Sequence, residues 1–348
     1  MPCSTRSRAS SAPTSSRVAS GKPSSGEDSL IAQYFRPLAT DPGAFGLDDD
    51  AAALKPDGSD IVVTTDAIVE GVHFLPDDPP DTVARKALRV NLSDLAAKGA
   101  TPAGFVLTLA LQQAEEAWLK PFAAALGEDA VRFACPLLGG DTVSTPGPLM
   151  VSVTAFGRTP PGKMVHRSGA KAGDRVMVTG TIGDAALGLA ILRGGKVRAA
   201  ASDNAARDEL IGRYRVPQPR VAMAEIVRGH ASASMDVSDG LAGDLAKLCG
   251  VSGVSADIDL SSVPLSDAAR DLVSRGVVGP ETLIAGGDDY EILCTLPDHR
   301  VEAFVQAARA AGVAVSSIGK VVAGNAIPRF VDGQGREIVL ERLSYSHF

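Results

Sequence analysis

Leu30, Ile31, Tyr34, Phe35 and Leu38 recur at three- and four-residue spacing, which puts them on one face of a helix over 28–38. An acidic loop, 45–53, separates that helix from a β-rich run at 60–66. Pro79 and Pro80 open a helix over 81–98, and Gly99 ends it. Residues 103–111 read as a buried strand and 114–133 as a helix, with Pro121 marking a break or a new first turn. Leu137 and Leu138 lead into Gly139, Gly140, Asp141 and Thr142, and 149–157 alternates as a strand does. The Pro/Gly-rich stretch 158–163 marks a domain boundary. Beyond it, strands are predicted at 175–180, 234–237, 256–260, 292–296, 315–321 and 327–331. Helices are predicted at 184–192, 220–228, 241–249, 267–275 and 301–311. Helices and strands mix in both halves, so the class is α/β and α+β. The expected organisation is a tail at 1–26, an N-terminal domain at 27–160 and a C-terminal domain at 161–348.

Composition narrows the classes. A chain of 348 residues with 45% apolar and 22% charged residues can bury a sizeable core. A formal charge of −7 leaves no cationic stripe for nucleic acid or an anionic membrane, and no apolar run reaches the roughly 20 residues of a membrane span. Cys3, Cys135, Cys249 and Cys294 are far apart and form no CxxC pair, so a reducing cytoplasm is expected. Residues 1–26 hold nine Ser, four basic residues and no acid. They lack the apolar stretch of a secretory signal. A disordered tail or a start placed too early is favoured over an organelle transit peptide.

The aspartates carry the chemistry. Asp48, Asp49 and Asp50, then Asp66, Asp94, Asp141, Asp236, Asp239, Asp288 and Asp289, are expected in Gly/Ser/Thr-rich turns at strand ends. Most have no Lys or Arg within a few residues. A single such Asp commonly caps a helix or holds an Asx turn. Several acidic turns in one chain point instead to hard cations such as Mg²⁺, completed by phosphate oxygens. Gly139 and Gly140, like Gly286 and Gly287, offer bare backbone to a phosphate. No GxxxxGK[ST] loop, GxGxxG opening, HExxH or GxSxG is present.

The blocks Gly46–Ala52 (GLDDDAA), Thr64-Thr65-Asp66 with 69–74 (VEGVHF), 91–100 (NLSDLAAKGA), 139–142 (GGDT), 167–174 (RSGAKAGD), 236–241 (DVSDGL), 286–291 (GGDDYE) and the closing Tyr345-Ser346-His347-Phe348 stand in this order. Together they resemble the thiamine-monophosphate kinase family, within the superfamily that includes aminoimidazole ribotide synthetase. Asp48 and Asp288 stand where the family pattern has Gly and Glu, and Lys98 where it has Met.

The resemblance implies a two-domain aminoimidazole ribotide synthetase-like fold, whose N-terminal domains pair into a shared β-barrel in a homodimer. It implies ATP-dependent phosphorylation of thiamine monophosphate to thiamine diphosphate, by direct in-line transfer at a site holding several Mg²⁺ ions. Carried over motif by motif, Asp49, Thr64, Thr65, Asp66, Asp94, Asp141, Asp236 and Asp239 would hold metal. Gly140, Asp141, Arg167 and Ser238 would lie near ATP, and His73, Asp288 and Tyr345 near thiamine monophosphate. No general base is expected, because the acceptor phosphate has a second pKa near about 6 and is already largely deprotonated. The alternatives are another ATP-using enzyme of the superfamily, or a non-catalytic metal- or nucleotide-binding homologue.

Overall fold

The computed structural model describes residues 29–49, 51–201, 203–340 and 342–344. The first amphipathic segment forms one turn of π-helix, Ile31–Phe35, continued by 3₁₀ turns at Arg36–Leu38 and Pro42–Leu47, rather than a regular α-helix. Pro37 and Pro42 explain the change, since each removes an N–H from the helical ladder.

A four-stranded sheet follows. It is built from β1 (Asp60–Val69), α1 (Pro80–Ala97), β2 (Thr101–Leu111), α2 (Glu116–Arg132), β3 (Leu137–Ser144) and β4 (Met150–Thr159). The strand order is β1-β4-β2-β3, and only β2 and β3 run parallel. The helix α2 runs through Pro121 without a break. Leu137 to Ser144 is a strand throughout, where the glycines suggest a loop. Pairing with β2 supplies the ladder that Gly139 and Gly140 would not choose alone. A Cβ on Gly140 would stand 2.0 Å from the Leu107 carbonyl oxygen, so only glycine lets the two strands approach.

One face of this sheet packs on α1 and α2 through Val62, Ile68, Phe105, Leu107, Val151 and Val153. The opposite face carries Ile61 and Val63, 42% and 56% exposed, with half-buried Phe156 paired to Val63.

The second unit comprises β5 (Arg175–Thr179), α3 (Asp184–Arg193), α4 (Lys196–Ala200), α5 (Asn204–Arg215), α6 (Ala224–His230), β6 (Ala233–Asp236), α7 (Leu241–Ser252), β7 (Val254–Asp259), α8 (Asp267–Ser274), α9 (Pro280–Ile284), β8 (Ile292–Leu296), α10 (Val301–Ala310), β9 (Val315–Ala323) and β10 (Arg329–Val331). Its six strands are ordered β10-β7-β9-β5-β8-β6, and only β10 and β7 run parallel. The sequence pattern missed α5. Its run of charged residues hides the two buried contacts, Leu210 and Tyr214, that dock it.

The helix α1 joins the units. Leu88, Leu92 and Leu95 belong to the core of the first sheet, while Ala96 and Ala97 pack with Met223, Val227 and Ile292 of the second unit. Protein covers α1 on both sides, so its polar residues Lys86, Arg89, Asn91 and Ser93 are buried and must find partners within the structure.

Candidate active site

Asp66 sits in the middle of β1 and Asp94 in the last turns of α1. Asp236 closes β6, and Asp239 lies in the turn before α7. Alternation along β1 turns Thr64 and Asp66 towards α1. Thr64 Oγ1 donates to Asp94 Oδ2 at 2.5 Å, and Ser93 Oγ donates to the buried Asp236 Oδ2 at 2.7 Å. The carboxylates repel one another. Partial burial, then Asp94 and Asp239, push the Asp66 carboxyl up to about 6, although its outer edge meets solvent. Burial and Asp94 push Asp236 well up, and the Ser93 bond opposes them. Oxygen donors crowded at this cost suit a hard divalent cation. They are gathered but not set as a finished shell: among the described residues no three His, Cys, Asp or Glu side chains form a metal-ready group.

Beside them opens a cleft of about 330 Å³, whose lining includes Asp66, His73, Ser238, Asp239, Asp288 and Tyr290, together with Arg193 and Arg342. Its floor is two loops packed backbone to backbone. Asp288 N–H donates to the Ser238 carbonyl at 2.8 Å, and a Cβ on Gly287 would lie 2.6 Å from that same oxygen. Asp288 and Tyr290 hold φ of 72° and 51°, a region that short polar Asp tolerates better than most residues. Lys86 Nζ donates to Asp288 Oδ2 at 3.2 Å and to the His73 carbonyl at 2.8 Å. The His73 ring accepts from Val69 N–H through Nδ1 at 3.1 Å.

The other candidates lie elsewhere. Asp49, Gly140 and Asp141 line a separate cavity of about 390 Å³ between the N-terminal turns and β3. That strand is at the opposite end of the sheet from β1, three interstrand steps or about 14 Å away. Arg167 lines a third hollow with Lys98 and His166. Lys98 donates to the Ser234 carbonyl at 2.6 Å, and burial followed by Arg167 lowers its pKa, opposed by Asp236 and Asp94.

The model of AIR synthase related protein, N-terminal domain, matches residues 48–159, and that of the C-terminal domain matches 171–332. The thiamine-monophosphate kinase of Caulobacter vibrioides is 46% identical over 324 residues, 91% of this chain and 89% of that one. The chain belongs to the thiamine-monophosphate kinase family. Its fold matches the crystal structure of the thiamine-monophosphate kinase from Stenotrophomonas maltophilia K279a with a TM-score of 0.78, at 36% identity over 89% of this chain and 96% of that one. It matches AaThiL complexed with AMPPCP and TMP with a TM-score of 0.73, at 30% identity over 88% and 97%.

For this member of the thiamine-monophosphate kinase family, several expectations need correction. Asp66 and Asp141 lie within strands and Asp94 within a helix, not in turns at strand ends. The carboxylates do not form one cluster within the chain. Asp66, Asp94, Asp236 and Asp239 come together, while Asp49 and Asp141 stand across the sheet. Thr65 alternates away from Asp66 and accepts from Thr154 Oγ1 at 2.9 Å on the opposite face. Counter-charges are present beyond the immediate neighbours: Lys247 pairs with Asp239 8 positions away, Arg36 with Asp48 12 away, and Lys86 with Asp288 202 away. Asp289 is a structural residue that accepts from Gly183 N–H at 2.8 Å where α3 begins. Tyr345 and Asp50 lie outside the described residues. Sequence reading missed Ser93, Lys86 and Tyr290. The first two look like ordinary polar positions on a helix, and no local signal says that α1 is enclosed.

Proposed function

We propose that this chain transfers the γ-phosphoryl group of ATP to the phosphate of thiamine monophosphate, giving thiamine diphosphate and ADP. The observation that carries this reading is the likeness, over 88% of the chain, to a protein solved with AMPPCP and TMP together, an ATP analogue and what we read as thiamine monophosphate. The cleft supports it by bringing the carboxylates Asp66, Asp239 and Asp288 into one lining with His73, Arg193 and Arg342.

Two anionic phosphates must meet in line, and Mg²⁺ bound at the carboxylates would screen that repulsion and take up charge on the leaving oxygen. Asp66, Asp94, Asp236 and Asp239, with the Thr64 hydroxyl, supply the oxygens. Thr64 and Ser93 hold Asp94 and Asp236 in place. Ser238 and Arg167 approach the ATP phosphates. In the separate cavity Asp49 and Asp141 would hold metal, and Gly140 and Asp141 would lie near ATP; Thr65 would hold metal from the opposite strand face. His73 and Asp288 face the acceptor, joined by Tyr345. The acceptor phosphate attacks as its own nucleophile, so no side chain has to remove a proton.

The exposed strand face bearing Ile61 and Val63, with Phe156 between the strands, fits pairing of two chains into a shared barrel. By register Thr65 and Asp141 belong to that face, so pairing would bring the separate carboxylate set beside a partner. The domains are taken as 27–160 and 161–348. Cys135, Cys249 and Cys294 are buried free thiols, in keeping with the cytoplasm.

The deciding assay incubates the full chain with Mg²⁺-ATP and either thiamine monophosphate or formylglycinamidine ribotide. Thiamine diphosphate and ADP are expected in equal amounts from the first arm alone. Turnover only in the second arm would move the protein to the synthetase branch, and turnover in neither would leave a binding protein.

A further inference from the structure

Lys86 is only 1% exposed and does not line the cleft, yet it touches two residues that do, His73 and Asp288. Its ammonium lies 3.9 Å from the centre of the Tyr214 ring, 2.8 Å from the His73 carbonyl oxygen and 3.2 Å from Asp288 Oδ2. Tyr214, itself buried, donates its hydroxyl to the same His73 carbonyl at 3.3 Å. One cation thus ties α1 and the His73 turn of the first unit to α5 and the 285–290 loop of the second. An ammonium has three donors and no acceptor. Two donors meet oxygen and an aromatic face covers part of the remainder, so the side chain has no freedom left to reach a ligand itself.

The residues it holds do face the cleft. Asp288 keeps a quarter of its side chain exposed there. With one oxygen engaged by Lys86, the carboxylate is held at the cleft wall, where it suits a cationic heterocycle such as that of thiamine. The His73 turn is anchored from behind by the same ammonium.

We propose that Lys86 is a positioning residue for the acceptor side of the cleft: it acts through Asp288 and the His73 turn to set affinity for thiamine monophosphate, and it leaves the nucleotide side alone. This rests on the assignment of the cleft given above. The asymmetry follows from the geometry, since the carboxylates Asp94 and Asp236 are held by other donors, Thr64 and Ser93.

The test is calorimetric titration of the full chain in Mg²⁺, with thiamine monophosphate and separately with a non-hydrolysable ATP analogue. The proteins are wild type, Lys86→Met, Asp288→Asn and the double variant. Each single variant is expected to bind thiamine monophosphate about tenfold more weakly, the scale of one charge-assisted hydrogen bond, and the analogue within about twofold of wild type. The double variant should be no weaker than the weaker single, because both changes cut the same linkage. In steady state KM for thiamine monophosphate rises more than kcat falls. Thiamine monophosphate affinity unchanged in Lys86→Met, equal losses for both ligands, or single effects that multiply in the double variant would each overturn the proposal. Should Lys86→Met not fold, Asp288→Asn at its half-buried loop position decides alone, by the same selectivity for one ligand. A wild-type protein that binds no thiamine monophosphate overturns the functional reading as well, which separates the two failures.

Discussion

Ser93 on α1 and Asp236 at the end of β6 are 143 positions apart in the chain, and the Ser93 hydroxyl donates to the Asp236 carboxylate at 2.7 Å. The bond crosses from one unit to the other, and both residues are buried. It connects the carboxylate group to the only long helix that touches both cores, among the described residues.

Removing that donor should be felt in protonation before it is felt in folding. Burial and Asp94 raise the Asp236 pKa, and Ser93 works against them. In Ser93→Ala the carboxyl holds its proton to higher pH, so the acid limb of the kcat/KM profile at fixed Mg²⁺ moves upward. The stability loss is about 1 kcal/mol, that of one buried hydrogen bond. Profiles that superimpose would show that Asp236 does not need this donor.

Asp66 gives the opposite sign in stability. Its folded pKa lies near about 6 against an ordinary 3.8. Between those values the folded chain keeps a proton that the unfolded chain has lost, so ionisation penalises the fold as pH rises. Without divalent ions, Asp66→Asn should therefore melt about 2 °C higher than wild type at pH 8, from at most about 1 kcal/mol after allowing for solvent screening. No gain should appear at pH 4. Adding Mg²⁺ should narrow or reverse the difference, while thiamine diphosphate formation by the variant drops by orders of magnitude. A variant that melts lower than wild type at pH 8 in chelator would contradict the repulsion.

The strand face offers a third check. Val63 is 56% exposed beside Phe156, and a carboxylate placed there would lie at the centre of a paired barrel. Sedimentation at micromolar concentration should give a dimer for the wild type and a monomer for Val63→Asp, with similar far-UV circular dichroism. A monomeric wild type removes the dimer.

Much of the element order was legible. The strand at Ile292–Leu296 falls where the apolar run predicts it, and α7, α8 and α10 start at the predicted residues. Apolar periodicity reports burial directly, because each element must hide one face. The failures have local causes. Gly139 and Gly140 look like a turn until β2 supplies ladder partners. The charged run of α5 conceals Tyr214, whose buried ring is met by Lys86 from another unit.

By itself the sequence determined the family, because ordered motif blocks survive without reference to distance, and it singled out the aspartates proposed to hold metal. Only the tertiary structure decided which of them meet. Convergence depends on strand order and helix burial: β1 and β3 end on opposite sides of one sheet, while α1, enclosed by two cores, carries Asp94 towards Asp66 and Ser93 towards Asp236. It also decided that Lys86 would have no water to turn to, which is why its charge is spent on Asp288, His73 and Tyr214.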